Sequence, residues 1–295
     1  MEMSHNTQKK IALINDISGF GRCSVTVQLP IISALKVQCS VMPTSIFTNH
    51  TAFESFYFDD YTDKMQHFTD EWQKLGLKFD GICTGFLGSY KQIEIVEKFF
   101  EVFKNETNKV VIDPVMGDNG SMYSTYTKQS CEHMKKLIGY ANILTPNLTE
   151  ACLLTDTQYR EDFTLSDYES IAKKLFAMGP EKIVITGIDG GSYIANYCCE
   201  KSDEGNMTVS GRNALKCDEK ISGKLIKGAK CGQTRCGTGD IFSSIIAADA
   251  VNGVELTASV EKASDFIRKC IIRSDEMQIP LTDGVCFEEF LSTLK

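Results

Sequence analysis

No two cysteines form a CxxC pair, although the 295-residue chain carries twelve of them. Only four histidines occur, none at zinc-ligand spacing from a cysteine, which removes a structural zinc site from consideration. No apolar run reaches the roughly 18 residues of a membrane span. The first ten residues are polar and lack the apolar stretch of a secretory signal. Scattered cysteines within apolar runs (Cys39, Cys83, Cys152, Cys270) therefore read as buried, reduced thiols of a cytoplasmic protein. Asn-x-Thr matches such as residues 49–51 then carry no glycosylation meaning. Long blocks of one charge are also missing. With a net charge of −8, the chain lacks the basic face that nucleic acid requires. Lys220, Lys224, Lys227 and Lys230 read as a solvated strand edge. Repeats, low-complexity tracts and Pro/Gly-rich linkers are absent too, so residues 1–295 are expected to form a single domain.

What is present is an alternation. Residues 10–15, 37–42, 81–84, 110–113, 142–145 and 182–186 are short apolar runs with strand character. Helical spacing links Met65, Phe68, Trp72 and Leu75, then Ile93, Val96, Phe99, Phe100 and Phe103. It recurs in Cys131, Met134, Leu137 and Ile138, and in Ile171, Leu175 and Met178. Strands alternating with amphipathic helices predict a three-layer α/β/α fold around a mostly parallel sheet. Residues 23–35 read as a helix that Pro30 should kink or break. After Thr186 the rhythm changes: residues 192–199, 207–211 and 221–229 predict an antiparallel meander at one sheet edge. Two helices, 240–250 and 256–274, close the chain.

In such folds ligands gather at the carboxyl ends of the strands, and polar residues follow nearly every predicted strand. Gly237-Thr238-Gly239-Asp240 opens a helix, where unpaired amides and the helix dipole favour an anion. A carboxylate there makes sense if a hydroxyl must lose a proton as a phosphoryl group arrives. Positive potential at the helix start predicts a low pKa for it. Ser18-Gly19-Phe20-Gly21 imitates a dinucleotide fingerprint. Its third glycine is Ser24, however, and residues 36–40 hold no acid, which argues against nicotinamide binding. The turn suits close approach to a small ligand or tight packing of strand on helix. Asp113 and Asp118, on a loop stiffened by Pro114 and Gly117, could serve Mg²⁺ or simply be solvated. Asn147 and Glu150 have the spacing of a capping box and could also face a metal–phosphate assembly. Residues 48–51 lie among Phe47, Phe53, Phe56 and Tyr57, a setting for a small planar ligand, with His50 read as a donor that fixes the loop.

Together these segments resemble the ribokinase superfamily, and within it the pyridoxal kinase branch. The matching pieces are NHT at 49–51, TGFLGS at 84–89, DPVMGDNGSMY at 113–123, TPNLTEA at 145–151, MGPEKIVIT at 178–186 and GTGD at 237–240. The resemblance implies an ATP-dependent kinase of the 5′-hydroxymethyl group of a vitamin B6 compound, working as a homodimer. It implies that Asp240 is the catalytic base and that the amides of Gly237, Thr238 and Gly239 cradle the phosphoryl. Asp118 and Glu150 would serve Mg²⁺. Asn147, Tyr123, Thr186, Thr238 and Cys231 would lie on the ATP side. Asp113, Thr145 and Thr186 would surround a monovalent cation, K⁺ or Na⁺. Asp16, Thr51 and Phe86 would meet the substrate ring. Asp16 stands where many relatives place Ser, and Phe86 where Tyr is common. The pyrimidine-kinase branch typically carries Cys where this chain has Asp240. The alternatives are a kinase for another hydroxymethyl compound, such as hydroxymethylpyrimidine, and a non-catalytic vitamer-binding protein.

Overall fold

Segments such as IALI, GICT and KVVI are apolar at nearly every position, which suits strands covered on both faces. A computed structural model describes residues 7–124, 126–201 and 221–294. In it β1 (Lys10–Ser18), α1 (Val25–Ala34), β2 (Gln38–Phe47), β3 (Phe58–Asp60), α2 (Thr62–Lys74), β4 (Gly81–Thr84) and α3 (Tyr90–Phe103) come first. There follow β5 (Lys109–Ile112), a small hairpin of β6 (Gly117–Asp118) and β7 (Ser121–Met122), α4 (Lys128–Leu137), β8 (Ile143–Leu144), α5 (Leu148–Leu154) and α6 (Leu165–Phe176). The edge strands β9 (Lys182–Asp189), β10 (Tyr193–Lys201) and β11 (Ile221–Ala229) precede α7 (Thr238–Asn252) and α8 (Leu256–Glu276).

Nine strands form one sheet in the order β11-β10-β9-β8-β5-β4-β1-β2-β3. Six of them, from β9 to β2, run parallel, and β9-β10-β11 is the expected antiparallel meander. Successive strand residues serve opposite faces. Ala12, Ile14, Ile82, Val110 and Ile112 pack under α2 to α6, while Ile11, Leu13, Cys83 and Val111 pack under α1, α7 and α8. This is the three-layer α/β/α arrangement. Chain direction reverses at β1, which runs outward to β2 and then crosses back to β4 on its other side. The crevice between the carboxyl ends of β1 and β4 is therefore the switch point, where ligands of open α/β sheets bind.

Two details depart from the sequence reading. The opposite edge carries its own antiparallel strand, β3, paired with β2. Helix α1 runs unbroken through Pro30, because Val27, Ile31 and Ile32 are fully buried and their packing outweighs one lost backbone hydrogen bond. The strand expected at 207–211 lies outside the described residues. All eleven described cysteines are free thiols, most of them buried. No helix among the described residues is long and apolar enough to cross a membrane.

Candidate active site

Strand register assembles the site. Ile14 pairs with Thr84, Thr84 with Ile112, Ile112 with Leu144, and Leu144 with Ile183. The next residue on four of these strands is Asn15, Gly85, Asp113 or Thr145, so three polar side chains stand just beyond a buried row that is apolar except for Thr84. Asp16 follows Asn15 and is 6% exposed. Asp113, Thr145 and Glu150 are similarly buried. Thr186 joins the row through a parallel bridge to Asn147.

Asp240 reaches this row from the first turn of α7, which packs over β4 and β5. One carboxylate oxygen accepts from the Ser24 backbone N–H at 2.7 Å, the other from Asn15 Nδ2 at 3.1 Å. Burial raises its pKa to about 7, and the nearby Asp16 carboxylate adds to the rise. This corrects the low value expected from the helix start: desolvation outweighs the dipole. The result is a better base at neutral pH. Gly237 precedes the helix with φ of +81° and supplies no side-chain cap, so the first-turn amides are left facing outward. A Cβ on Gly237 would overlap the Arg22 carbonyl oxygen, whereas beside Gly239 there is open space. The conformation and the close packing both require glycine at 237; at 239 the space itself is the feature.

Asp113 and Glu150 are pushed well above the usual carboxylate range, first by burial. For Asp113 the next cause is the Asp240 charge, for Glu150 the Asp113 charge. Burial likewise raises Asp16, opposed by hydroxyls of Ser24 and Ser18, the latter 3.1 Å away. The Tyr123 phenol is raised by burial and by Glu150, Asp118, Asp113 and Asp240, so one ring senses all four acids. No Lys or Arg among the described residues forms an ion pair with Asp16, Asp113, Glu150 or Asp240. A set of buried oxygen acceptors without a cation suits a hard metal ion supplied with substrate. The protein does not form a closed cage of its own: no group of three or more His, Cys, Asp or Glu among the described residues could hold a metal.

Asn147 and Glu150 form the expected capping box. Both Glu150 oxygens accept backbone N–H groups, from Met116 at 3.2 Å and Asn147 at 2.8 Å. Asn147 Nδ2 donates to the Gly117 carbonyl, tying the exposed Asp118 hairpin to the same corner. Aromatic rings cluster beside the crevice: the Phe86 ring lies 6.3 Å from Phe47, edge to face, and Phe47 stacks on Phe58 at 5.2 Å. His50 is a structural clamp, with Nε2 2.6 Å from the Thr282 carbonyl and Nδ1 accepting from Ala52 N–H. Thr51 lies on an exposed turn, and the Cys231 thiol donates to the Arg268 carbonyl of α8. No hydrogen bond among the described residues ties either one to the acidic row. Asn15, Ser24, Gln28 and Ser243 escaped the sequence reading; a polar residue inside an apolar run (Asn15, Gln28) was the available signal.

Fold and site are those of a ribokinase-like phosphotransferase with an alcohol acceptor, and comparison with known proteins agrees. Residues 32–283 match the phosphomethylpyrimidine kinase family, and the chain belongs to it. A structure from Bacteroides thetaiotaomicron, described provisionally as a phosphomethylpyrimidine kinase, is 33% identical with a TM-score of 0.90, covering 99% of this chain and 96% of that one. An orthorhombic form of it, solved with pyridoxal, is 32% identical with a TM-score of 0.87, covering 98% and 96%. Pyridoxine kinase from Bacillus subtilis is 29% identical over 199 residues, 68% of this chain and 66% of its own length. Hydroxymethylpyrimidine/phosphomethylpyrimidine kinase from Aquifex aeolicus is 26% identical over 193 residues, 65% and 68% respectively. The match thus spans about two-thirds of either curated relative.

Two outcomes follow from the geometry. Gly237→Ala should lower the melting temperature by several degrees, since a positive φ and a backbone clash together cost on the order of 1–3 kcal/mol. Gly239→Ala should leave it unchanged or slightly higher while reducing turnover, because its methyl fills the space beside the amides. Thermal melts paired with an ADP-release assay separate the two effects.

The second outcome concerns pH. A carboxyl whose folded pKa is raised binds its proton more tightly in the folded state, so its contribution is lost as pH rises. For Asp240 that window runs from its ordinary value of 3.8 to about 7. Asp16, Asp113 and Glu150 shift in the same direction. Ligand-free protein should therefore melt at a lower temperature at pH 7.5 than at pH 5. Asp113→Asn should flatten that slope and raise the melting temperature at pH 7.5; an unchanged slope would mean the Asp113 carboxyl is already ionised at pH 5 and is not raised by burial.

Proposed function

We propose that this protein transfers the γ-phosphoryl group of ATP to the 5′-hydroxymethyl group of a B6 vitamer: pyridoxal, pyridoxamine or pyridoxine. The observation that carries the reading is Asp240, a half-buried carboxylate poised near neutrality between an uncapped helix start and an aromatic-sided crevice. The pyridoxal held by the Bacteroides relative supports a pyridine ring in the corresponding crevice.

In this reading the ring enters at the β1–β4 switch point against Phe86, with Asp16 and Thr51 toward its substituents. Asp240 removes the hydroxyl proton as the oxygen attacks phosphorus. Transfer passes through a loose transition state, in which positioning and charge neutralisation do most of the catalysis. The first-turn amides of α7 receive the equatorial oxygens. Asp118 and Glu150 would hold Mg²⁺, Glu150 through water because its oxygens already accept backbone amides. Bound there, the ion would neutralise phosphate charge. Asp113, Thr145 and Thr186 would take K⁺ or Na⁺, while Tyr123, Asn147 and the loop at Cys231 would lie toward the nucleotide. The working unit would be a homodimer of one catalytic domain in the cytoplasm.

A second reading, hydroxymethylpyrimidine as acceptor, is favoured by the family match and by the Aquifex relative. Asp16 is a buried acceptor that fits an amino-bearing substituent, whether the aminomethyl of pyridoxamine or the ring amine of that pyrimidine. ADP release with pyridoxal, pyridoxamine, pyridoxine, hydroxymethylpyrimidine and ribose, each under identical Mg²⁺–ATP conditions, decides between them. Faster turnover of any vitamer is expected. Preference for the pyrimidine would overturn the assignment, and binding without ADP release would remove the enzyme.

Asp240→Asn should lower kcat on the order of 10²–10⁴-fold with KM little changed, as for loss of a general base. For the native protein, kcat/KM should climb with pH and level off above about 7, where Asp240 is ionised in the free enzyme. A profile flat down to pH 5 would deny the base its raised pKa.

A further inference from the structure

Asn15 is 1% exposed and uses both ends of its carboxamide. Oδ1 accepts two backbone N–H groups, from Asp16 at 2.9 Å and from Phe86 at 2.7 Å. Both partners can only donate, which fixes the amide orientation: Nδ2 must face the other way. There it donates to Asp240 Oδ1 at 3.1 Å and to Gln28 Oε1 at 2.8 Å. Gln28 is fully buried and is fixed in turn, its Nε2 3.3 Å from the Ser243 hydroxyl. Gly85 lies against the carboxamide, and a Cβ at that position would collide with it. Thus a single side chain spans the β1–β4 crevice, joining the carboxylate on α7 to the loop that carries Phe86.

We propose that Asn15 is a positioning residue that aligns the Asp240 carboxylate with the ring-binding loop, so that a substrate seated against Phe86 presents its hydroxyl to a base already in register. This deepens the kinase reading and rests on it for the catalytic consequence. Asn15 touches neither reacting atom; it acts through Asp240 and Phe86. The Ser24 amide fixes one carboxylate oxygen, and among the described residues Asn15 alone donates to the other. Removing it leaves the base free to rotate. A displacement of about 1 Å at a reacting group costs on the order of 10²-fold in rate.

Asn15→Asp is nearly isosteric. Its carboxyl keeps accepting from Asp16 and Phe86, so the loop holds, but beside Asp240 it repels that carboxylate or shares a proton with it, so the fixed donor is lost and the rise of kcat/KM with pH moves above 7 as well. In the full-length protein, kcat should fall on the order of 10²-fold while KM for acceptor and for Mg²⁺–ATP stays within about threefold. A rise in KM at unchanged kcat, or no change at all, would overturn the proposal, because a residue that only shapes the pocket behaves in that way. If Asn15→Asp does not fold, a readout without turnover decides. In ¹⁵N NMR spectra of the ligand-free protein, Asp240→Asn should shift both the Asn15 side-chain amide and the Phe86 backbone amide. If neither moves, the link does not exist. A wild-type protein that phosphorylates none of the five acceptors would refute the kinase reading, while the NMR comparison would still judge the link.

Discussion

The site depends on one constraint: parallel strands paired in register end together. Ile14, Thr84, Ile112, Leu144 and Ile183 form a continuous row, sealed above and below by helices. Whatever follows that row is still shielded by the helices and held by the sheet backbone, with the Asp113 N–H donating to the Thr84 carbonyl and the Thr145 N–H to the Ile112 carbonyl. Asn15, Asp16, Asp113 and Thr145 occupy this margin, where a polar group is largely dehydrated but still open to a ligand from one side. A register slip by one residue on β5 would send Asp113 to the wrong face of the sheet. The apolar strands thus fix the positions of the acids more firmly than any contact among the acids does.

Dehydration also sets the chemistry. Burial raises all four acids of the site, and neighbouring acid charges add to the rise at Asp113, Glu150 and Asp240, with no ion pair to a basic side chain among the described residues. Such an arrangement weakens the ligand-free fold, and a protein optimised only for stability would replace it with apolar groups. In the proposed kinase reading it would become favourable when cations and a polyphosphate arrive, because the same low dielectric that penalises the unpaired charges strengthens their attraction to the ligand. On that reading the site would hold part of its binding energy as deferred electrostatics, and Asp240, raised to about 7, would be a base matched to neutral pH.

Much of this was legible in the sequence. Alternation of dry strands and amphipathic helices gave the layers, and the change of rhythm after Thr186 marked the antiparallel edge. The capping box at Asn147 and Glu150 was readable because it is local. β3 was not, since three residues reading Phe-Asp-Asp have no period to detect. Pro30 misled because a local rule met a helix whose buried face outweighs it. The pKa of Asp240 misled for a related reason: a helix start is visible in sequence, whereas the burial that overrides it depends on segments more than 200 residues away, at Asn15 and Ser24. Asn15 and Gln28 are single polar residues in apolar runs, and only the fold shows that they meet at one place.

Ser24 shows how closely base and amide cup are built as one unit. Its φ of +55° is costly for a residue with a Cβ, and glycine would be easier there. Glycine could aim its N–H at Asp240 equally well, but it has no hydroxyl for Asp16. Ser24 therefore addresses two acids at once, one with its backbone and one with its side chain, and the strained conformation points both groups into the crevice. Gly237, also left-handed, packs against the carbonyl of Arg22, two residues before Ser24. Two left-handed residues from opposite ends of the chain are thus pressed together where α1 and α7 begin. Neither helix start can shift without moving Asp240, the first-turn amides of α7 and Asp16.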